Sequence, residues 1–77
     1  MDVNEVAELL EKVASGAVTA EEALQAWPDT NKNNHKLAHA FHELHHFRAD
    51  DDIREKDSEY DAYQRGLLRK LAADLRA

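Results

Sequence analysis

All five histidines of the chain lie between positions 35 and 46, in the stretch NHKLAHAFHELHHF. On a helix of about 100° per residue, His39, His42 and His46 fall within about 40° of His35, while Leu37, Ala40, Phe41 and Leu44 lie on the far side. His45 sits nearer the core boundary, and Phe47 is an edge residue. Imidazoles one turn apart can share a divalent ion, and His35/His39, His39/His42 and His42/His46 all have helical-neighbour spacing. Zinc, nickel or copper would suit such donors. A single helix normally supplies two ligands, so the others would come from aspartates or a second chain, since the sequence holds no cysteine. The competing readings are a solvated polar face and a face that responds to pH or meets a partner. The expectation is a solvated row and no resident cofactor, with a metal site at His35, His39, His42 and His46 as the alternative.

The second charged constellation is acidic. Residues 50–61, DDDIREKDSEYD, carry Asp50, Asp51, Asp52, Glu55, Asp57, Glu59 and Asp61 against Arg54 and Lys56, whereas the last fourteen residues carry four bases against Asp74. Acids at a helix start are stabilised by the helix dipole, which accounts for Asp57, Glu59 and Asp61 but does not require Asp50, Asp51 and Asp52 as well. None of the latter three is expected to be buried. Calcium is disfavoured because an EF-hand loop needs D-x-[DN]-x-[DN]-G, and here Arg54 and Glu55 stand at the third ligand and the glycine. With a net charge of −6, a nucleic-acid surface is disfavoured and a basic protein partner favoured.

Catalysis is not expected. Ser15 and Ser58 are the only serines, both at expected helix ends, and the two glycines stand fifty residues apart, too far for a phosphate-cradling loop. Carboxylate pairs are plentiful, but a pocket of several hundred Å³ is hard to build in 77 residues.

The elements that must position these groups are helices. Hydrophobic residues make up 43% and charged residues 34% of the chain, with two Gly and one Pro, the composition of a small helical domain. Val3, Val6, Ala7, Leu10, Val13 and Ala14 recur at helical spacing, predicting a first helix over 3–15 that Asp2 caps and Gly16 stops. Thr19 and Glu22 form a capping box for a short helix over 20–27, anchored by Leu24 and Trp27 and ended by Pro28. After the polar loop DTNKNN, Asn33 or Asn34 caps the histidine helix, which runs to Arg48 or Ala49. The connector ADDDIREKD buries only Ile53 and is read as loop or helical turn. Asp57 or Ser58 starts the last helix, with Tyr60, Gln64, Leu67, Leu68, Leu71 and Leu75 as its stripe and Gly66 off it. The expected core is Val6, Leu10, Val13, Leu24, Trp27, Leu37, Phe41, Leu44, Leu67, Leu71 and Tyr60.

The segment SGAVTAEEAL, the histidine- and aromatic-bearing middle helix and the acidic ADDDIREKD together resemble, in layout, the small bacteriocin immunity proteins of the colicin D type. The resemblance implies a helical bundle whose acidic surface plugs the basic, RNA-binding cleft of a toxin nuclease. The residues it places in that role are Asp50, Asp51, Asp52, Glu55, Asp57, Glu59 and Asp61.

The reading is therefore an all-α bundle of three longer helices and one short one, forming a single domain over residues 1–77. A chain this short buries only about 60% of the surface its unfolded form exposes, so its core is thin. No apolar run approaches the roughly 20 residues of a membrane span, and the acidic N-terminus differs from a secretory signal, so a cytoplasmic location is expected. The function expected is acidic protein binding, by which a basic partner is neutralised. The other readings are a metal- or proton-responsive histidine helix and a homo-oligomeric structural bundle.

Overall fold

The structure, a computed structural model, describes residues 3–27 and 35–77. Among these residues every regular element is an α-helix: α1 (Val3–Ser15), α2 (Ala20–Gln25), α3 (His35–Ala49), α4 (Asp51–Lys56) and α5 (Ser58–Arg76). The protein is an all-α bundle of three longer helices with two six-residue ones, because the acidic connector is itself a helix. The Asp2 cap, the Pro28 stop, the Asn33 or Asn34 cap and the loop over 29–34 lie outside the described residues.

The local signals set the helix boundaries. Gly16 has φ +83°, the left-handed position that only glycine adopts without strain, and it ends α1. Its amide donates to the Val13 carbonyl at 3.1 Å and the Ala17 amide to the Lys12 carbonyl at 2.9 Å, the two bonds of a Schellman motif. Thr19 and Glu22 close the capping box of α2, each backbone amide donating to the other's side chain at 3.0 Å. Asp57 caps α5, its Oδ1 accepting from the amides of Glu59 and Tyr60 at 3.1 Å.

Burial of one face per helix holds these elements together. The largest helix pair is α1 against α5, and α3 rests on α2 and α5. Leu10, Leu44, Leu68, Val6 and Val13 are the largest fully buried side chains of one shared cluster. Leu24 and Trp27 are half-buried and pack against that cluster from its rim. Tyr60 and Leu67 are also half-buried, and Leu68 takes the place in the core expected of Leu67. A Cβ at Gly66 would meet nothing within 4 Å, so this glycine serves no close approach.

Two core assignments are corrected. Phe41 is 38% exposed and Phe47 is 4% exposed, the reverse of the expected order. Both rings flank the Leu37–Ala40–Leu44 stripe at roughly 60°, so periodicity alone cannot choose between them. The choice is made by what lies alongside: Phe47 faces the buried guanidinium of Arg54, whereas Phe41 leans on Trp27, with ring centroids 5.4 Å apart. Ile53, expected to be the buried residue of the connector, is 52% exposed, and its neighbour Arg54 is buried instead. Phe41→Ala is accordingly expected to cost only about 1 kcal/mol, the worth of a partly exposed aromatic contact, and to leave the domain folded. Thermal denaturation followed by circular dichroism measures this; a loss above about 3 kcal/mol would mean that Phe41 is a core residue after all.

Candidate functional site

The acids of residues 50–61 meet at the junction of α3, α4 and α5, around Arg54. In α4 the residue one turn after Asp50 points inward, and that residue is Arg54, 6% exposed. Its Nη1 donates to the Phe47 carbonyl, at the C-terminal end of α3, and to Gln64 Oε1 at 2.9 Å. Its Nη2 donates to Asp51 Oδ1 at 2.9 Å, and its Nε lies 3.5 Å from Asp61 Oδ1. The guanidinium carbon stands 3.4 Å from the centroid of the Phe47 ring, a cation–π contact in a desolvated place.

Asp61 carries the network onward. It accepts from Arg65 Nε through both oxygens at 3.0 Å, and Arg65 Nη1 reaches the Val13 and Ala14 carbonyls at 2.9 and 3.2 Å. Arg69 adds a third bond, Nη2 to the Ala14 carbonyl at 3.3 Å. The last carbonyls of α1 are thus satisfied by cations from α5, which also complement the negative end of the α1 dipole.

Asp50 is tied in from the other side. Its Oδ2 accepts from the Tyr60 hydroxyl at 2.7 Å and from Gln64 Nε2 at 3.1 Å. The Tyr60 bond, with a smaller contribution from Gln64, holds the Asp50 carboxyl below its ordinary value against the opposing effect of desolvation. The same bond to Asp50 pushes the Tyr60 phenol up. A depressed carboxyl stabilises the fold fully above its unfolded value of about 3.9, and that contribution is lost as pH falls through the lower folded value. The stability difference between wild type and Asp50→Asn is therefore expected to be constant near neutrality and to shrink below about pH 4. Urea titrations across that range measure it, and a difference independent of pH would contradict the Asp50–Tyr60 bond.

The seven expected partner-binding acids consequently divide. Asp50, Asp57 and Asp61 are held by the internal contacts described above, and Asp50 is half-buried. Asp51 is intermediate in role, bonded to Arg54 through a side chain that remains 74% exposed. Asp52, Glu55 and Glu59 are exposed, and their side chains have no hydrogen-bond or ion-pair partner among the described residues. Two exposed apolar side chains come from the same segments: Ile53 from α4, and Tyr63, 66% exposed and stacked on Tyr60, from the first turns of α5.

The histidines are all exposed. The row from His35 to His46 extends about 16 Å along the helix axis, too far for one ion to gather all four. Among the described residues no group of three His, Cys, Asp or Glu side chains is arranged to hold a metal. What the structure does assemble is one pair: His42 and His46 are joined by an Nε2–Nε2 hydrogen bond of 3.0 Å, with ring planes at 78°. His45 instead meets the edge of Phe41, with centroids 4.6 Å apart. His35 and His39 line a shallow groove of about 320 Å³ with Lys36, Leu71, Asp74 and Leu75. The pair is one of the three that the spacing offered; what that reading passed over is Glu43, which with His42 and His46 stands in H-E-x-x-H order.

A larger open cleft, about 520 Å³, lies between Val13, Glu21, Phe47, Arg48, Arg54 and Arg65. It exceeds what the chain length suggested. Its acids are already paired, Glu21 with Arg48 at 3.4 Å and Asp51 with Arg54 at 2.9 Å, so it offers no free carboxylate pair. Arg54 itself was not anticipated; the one available signal was a base set inside an acid run, seven residues after Phe47 and seven before Asp61.

No helix among the described residues is long and apolar enough to cross a membrane. No family model, curated protein or solved structure matches the chain.

Proposed function

We propose that the protein is a small acidic helical binding module that neutralises a basic protein partner, of the kind a nuclease toxin presents, in the manner of the bacteriocin immunity proteins it resembles. The observation that carries this reading is the division of the acids. Asp50 and Asp61 tie the α3–α4 junction to α5 and Asp57 caps α5, while Asp52, Glu55 and Glu59 point outward. A rigid element with unpaired exposed acids suits electrostatic recognition, because like charge raises the local potential and speeds encounter with an opposite surface. Ile53 and Tyr63 supply apolar contact area, and tyrosine is among the residues that anchor interfaces best.

The experiment is affinity capture from the native host by the tag-free-face chain, coupled at its C-terminus, at low ionic strength. The reading expects a basic protein that is released by salt, and a purified sample of that protein whose nuclease activity falls stoichiometrically as the chain is added. Capture of only a second copy of this chain, with sedimentation showing a stable dimer, would support the homo-oligomeric reading instead.

A further inference from the structure

The acidic face leaves the His42/His46 pair unused, and its geometry points to a ligand of its own. Two nitrogens bound to one ion at about 2.0–2.1 Å lie about 2.9 Å apart when they subtend a right angle and about 3.3 Å apart at the tetrahedral angle. The observed Nε2 separation of 3.0 Å is that of a hydrogen bond in which one ring's N–H donates to the other ring's Nε2, and it also falls within that span, so a cation that displaces the shared proton meets both nitrogens at chelating distance. We infer that His42 and His46 form a bidentate surface site for a divalent cation of the copper, nickel and zinc class, with water in the remaining coordination positions.

The rest of the row does not share this arrangement. His35 and His39 have the same spacing in sequence, but among the described residues no hydrogen bond or ring contact joins them, and they line a groove with Lys36 and Asp74. At the other end of α3 the chain turns acidic, with Asp50 one turn after His46. Glu43 completes the H-E-x-x-H order, an arrangement used by zinc hydrolases in which the glutamate acts as base and a third protein ligand completes the metal set. Among the described residues that third ligand is missing from the neighbourhood of the pair. The site assigned here is therefore one of binding through two nitrogens, with Glu43 outside the ligand set.

The test uses the tag-free full chain and titrates copper(II), the strongest binder of the series, then zinc(II), in a non-coordinating buffer. If the two imidazoles chelate, the second binds intramolecularly, and losing either one should weaken the first equivalent of copper by about 100-fold. His42→Ala and His46→Ala should each show this loss, and the double variant little more, since either change already destroys the chelate. His35→Ala/His39→Ala and Glu43→Gln should retain wild-type affinity. Electron paramagnetic resonance should report two equatorial nitrogens in wild type and one in each single variant. Zinc should bind at the same pair with lower affinity. Losses under tenfold in the single variants that multiply in the double would mean independent imidazoles, and would overturn the assignment. Equal loss in the His35/His39 variant, or loss in Glu43→Gln, would overturn it too. All five positions are on α3, and unchanged far-ultraviolet circular dichroism identifies variants in which the helix is intact.

Discussion

Arg54→Ala is expected to destabilise the protein by about 3–5 kcal/mol, chiefly by leaving two buried acceptors without their donor. The magnitude can be assembled from the contacts. The Asp51 pair contributes little, since that carboxylate is largely in water. Asp61 keeps Arg65 as a partner. The loss comes from the Phe47 carbonyl and Gln64 Oε1, which are left without the Arg54 donor, at about 1–3 kcal/mol each, and from the uncovered face of the Phe47 ring. Set against the roughly 4–12 kcal/mol that a domain of this size commands, the substitution removes a large part of total stability. Arg54→Lys should lose less, because an ammonium can still reach one acceptor but cannot span Phe47, Gln64 and Asp61 together. Urea denaturation of the three proteins gives the order wild type, Lys, Ala. A loss below about 1 kcal/mol for Arg54→Ala would show that the guanidinium is solvated and that α4 is not anchored through it.

This residue also marks where reading the sequence stops working. Gly16, the Thr19/Glu22 box and the Asp57 cap were legible because each is a local contract between residues two to four apart, complete within the segment that shows it. The burial of α1 was legible for the same reason, its five apolar positions falling on one side of the helix. Arg54 and Phe47 are different. Whether an arginine is buried depends on a carbonyl seven residues earlier and a carboxylate seven residues later, and on α3, α4 and α5 meeting at one point. Phe41 and Phe47 are symmetric about their stripe until that meeting point exists. The acidic run was legible as a charge, but its division into holding and outward-facing members is set by the same junction. In the histidine stretch the spacing was legible and the selection of one pair was not, because Lys36 and Asp74 come together only when α3 lies against α5.

The division of the acids leads to the second large effect. Reversing Asp52, Glu55 and Glu59 to Lys changes the local charge by six units without touching a described internal contact. Folding stability is expected to fall by about 1–2 kcal/mol, because Asp52 and Glu59 stand in the first turns of α4 and α5, where the helix dipole favours acids and opposes cations. Association with a basic partner of the kind proposed above, in contrast, is expected to slow by roughly 10- to 1,000-fold at low ionic strength, the range over which electrostatic steering acts. Dissociation should change less, because charges at a solvated rim act mainly on encounter. Reversing Asp50 and Asp51 instead would confound the two effects, since Asp50 holds Tyr60 and Gln64.

The most direct measurement is therefore the association rate constant of the purified basic partner with wild type and with the Asp52→Lys/Glu55→Lys/Glu59→Lys variant, by stopped flow, at low salt and at about 0.5 M salt. Screening shortens the Debye length from about 10 Å at 0.1 M to about 3 Å at 1 M, so the wild-type rate should fall steeply with salt, the variant rate should not, and the two should converge. Equal rates for the two proteins at both salts, with both folded, would contradict an acidic recognition face on α4 and the start of α5.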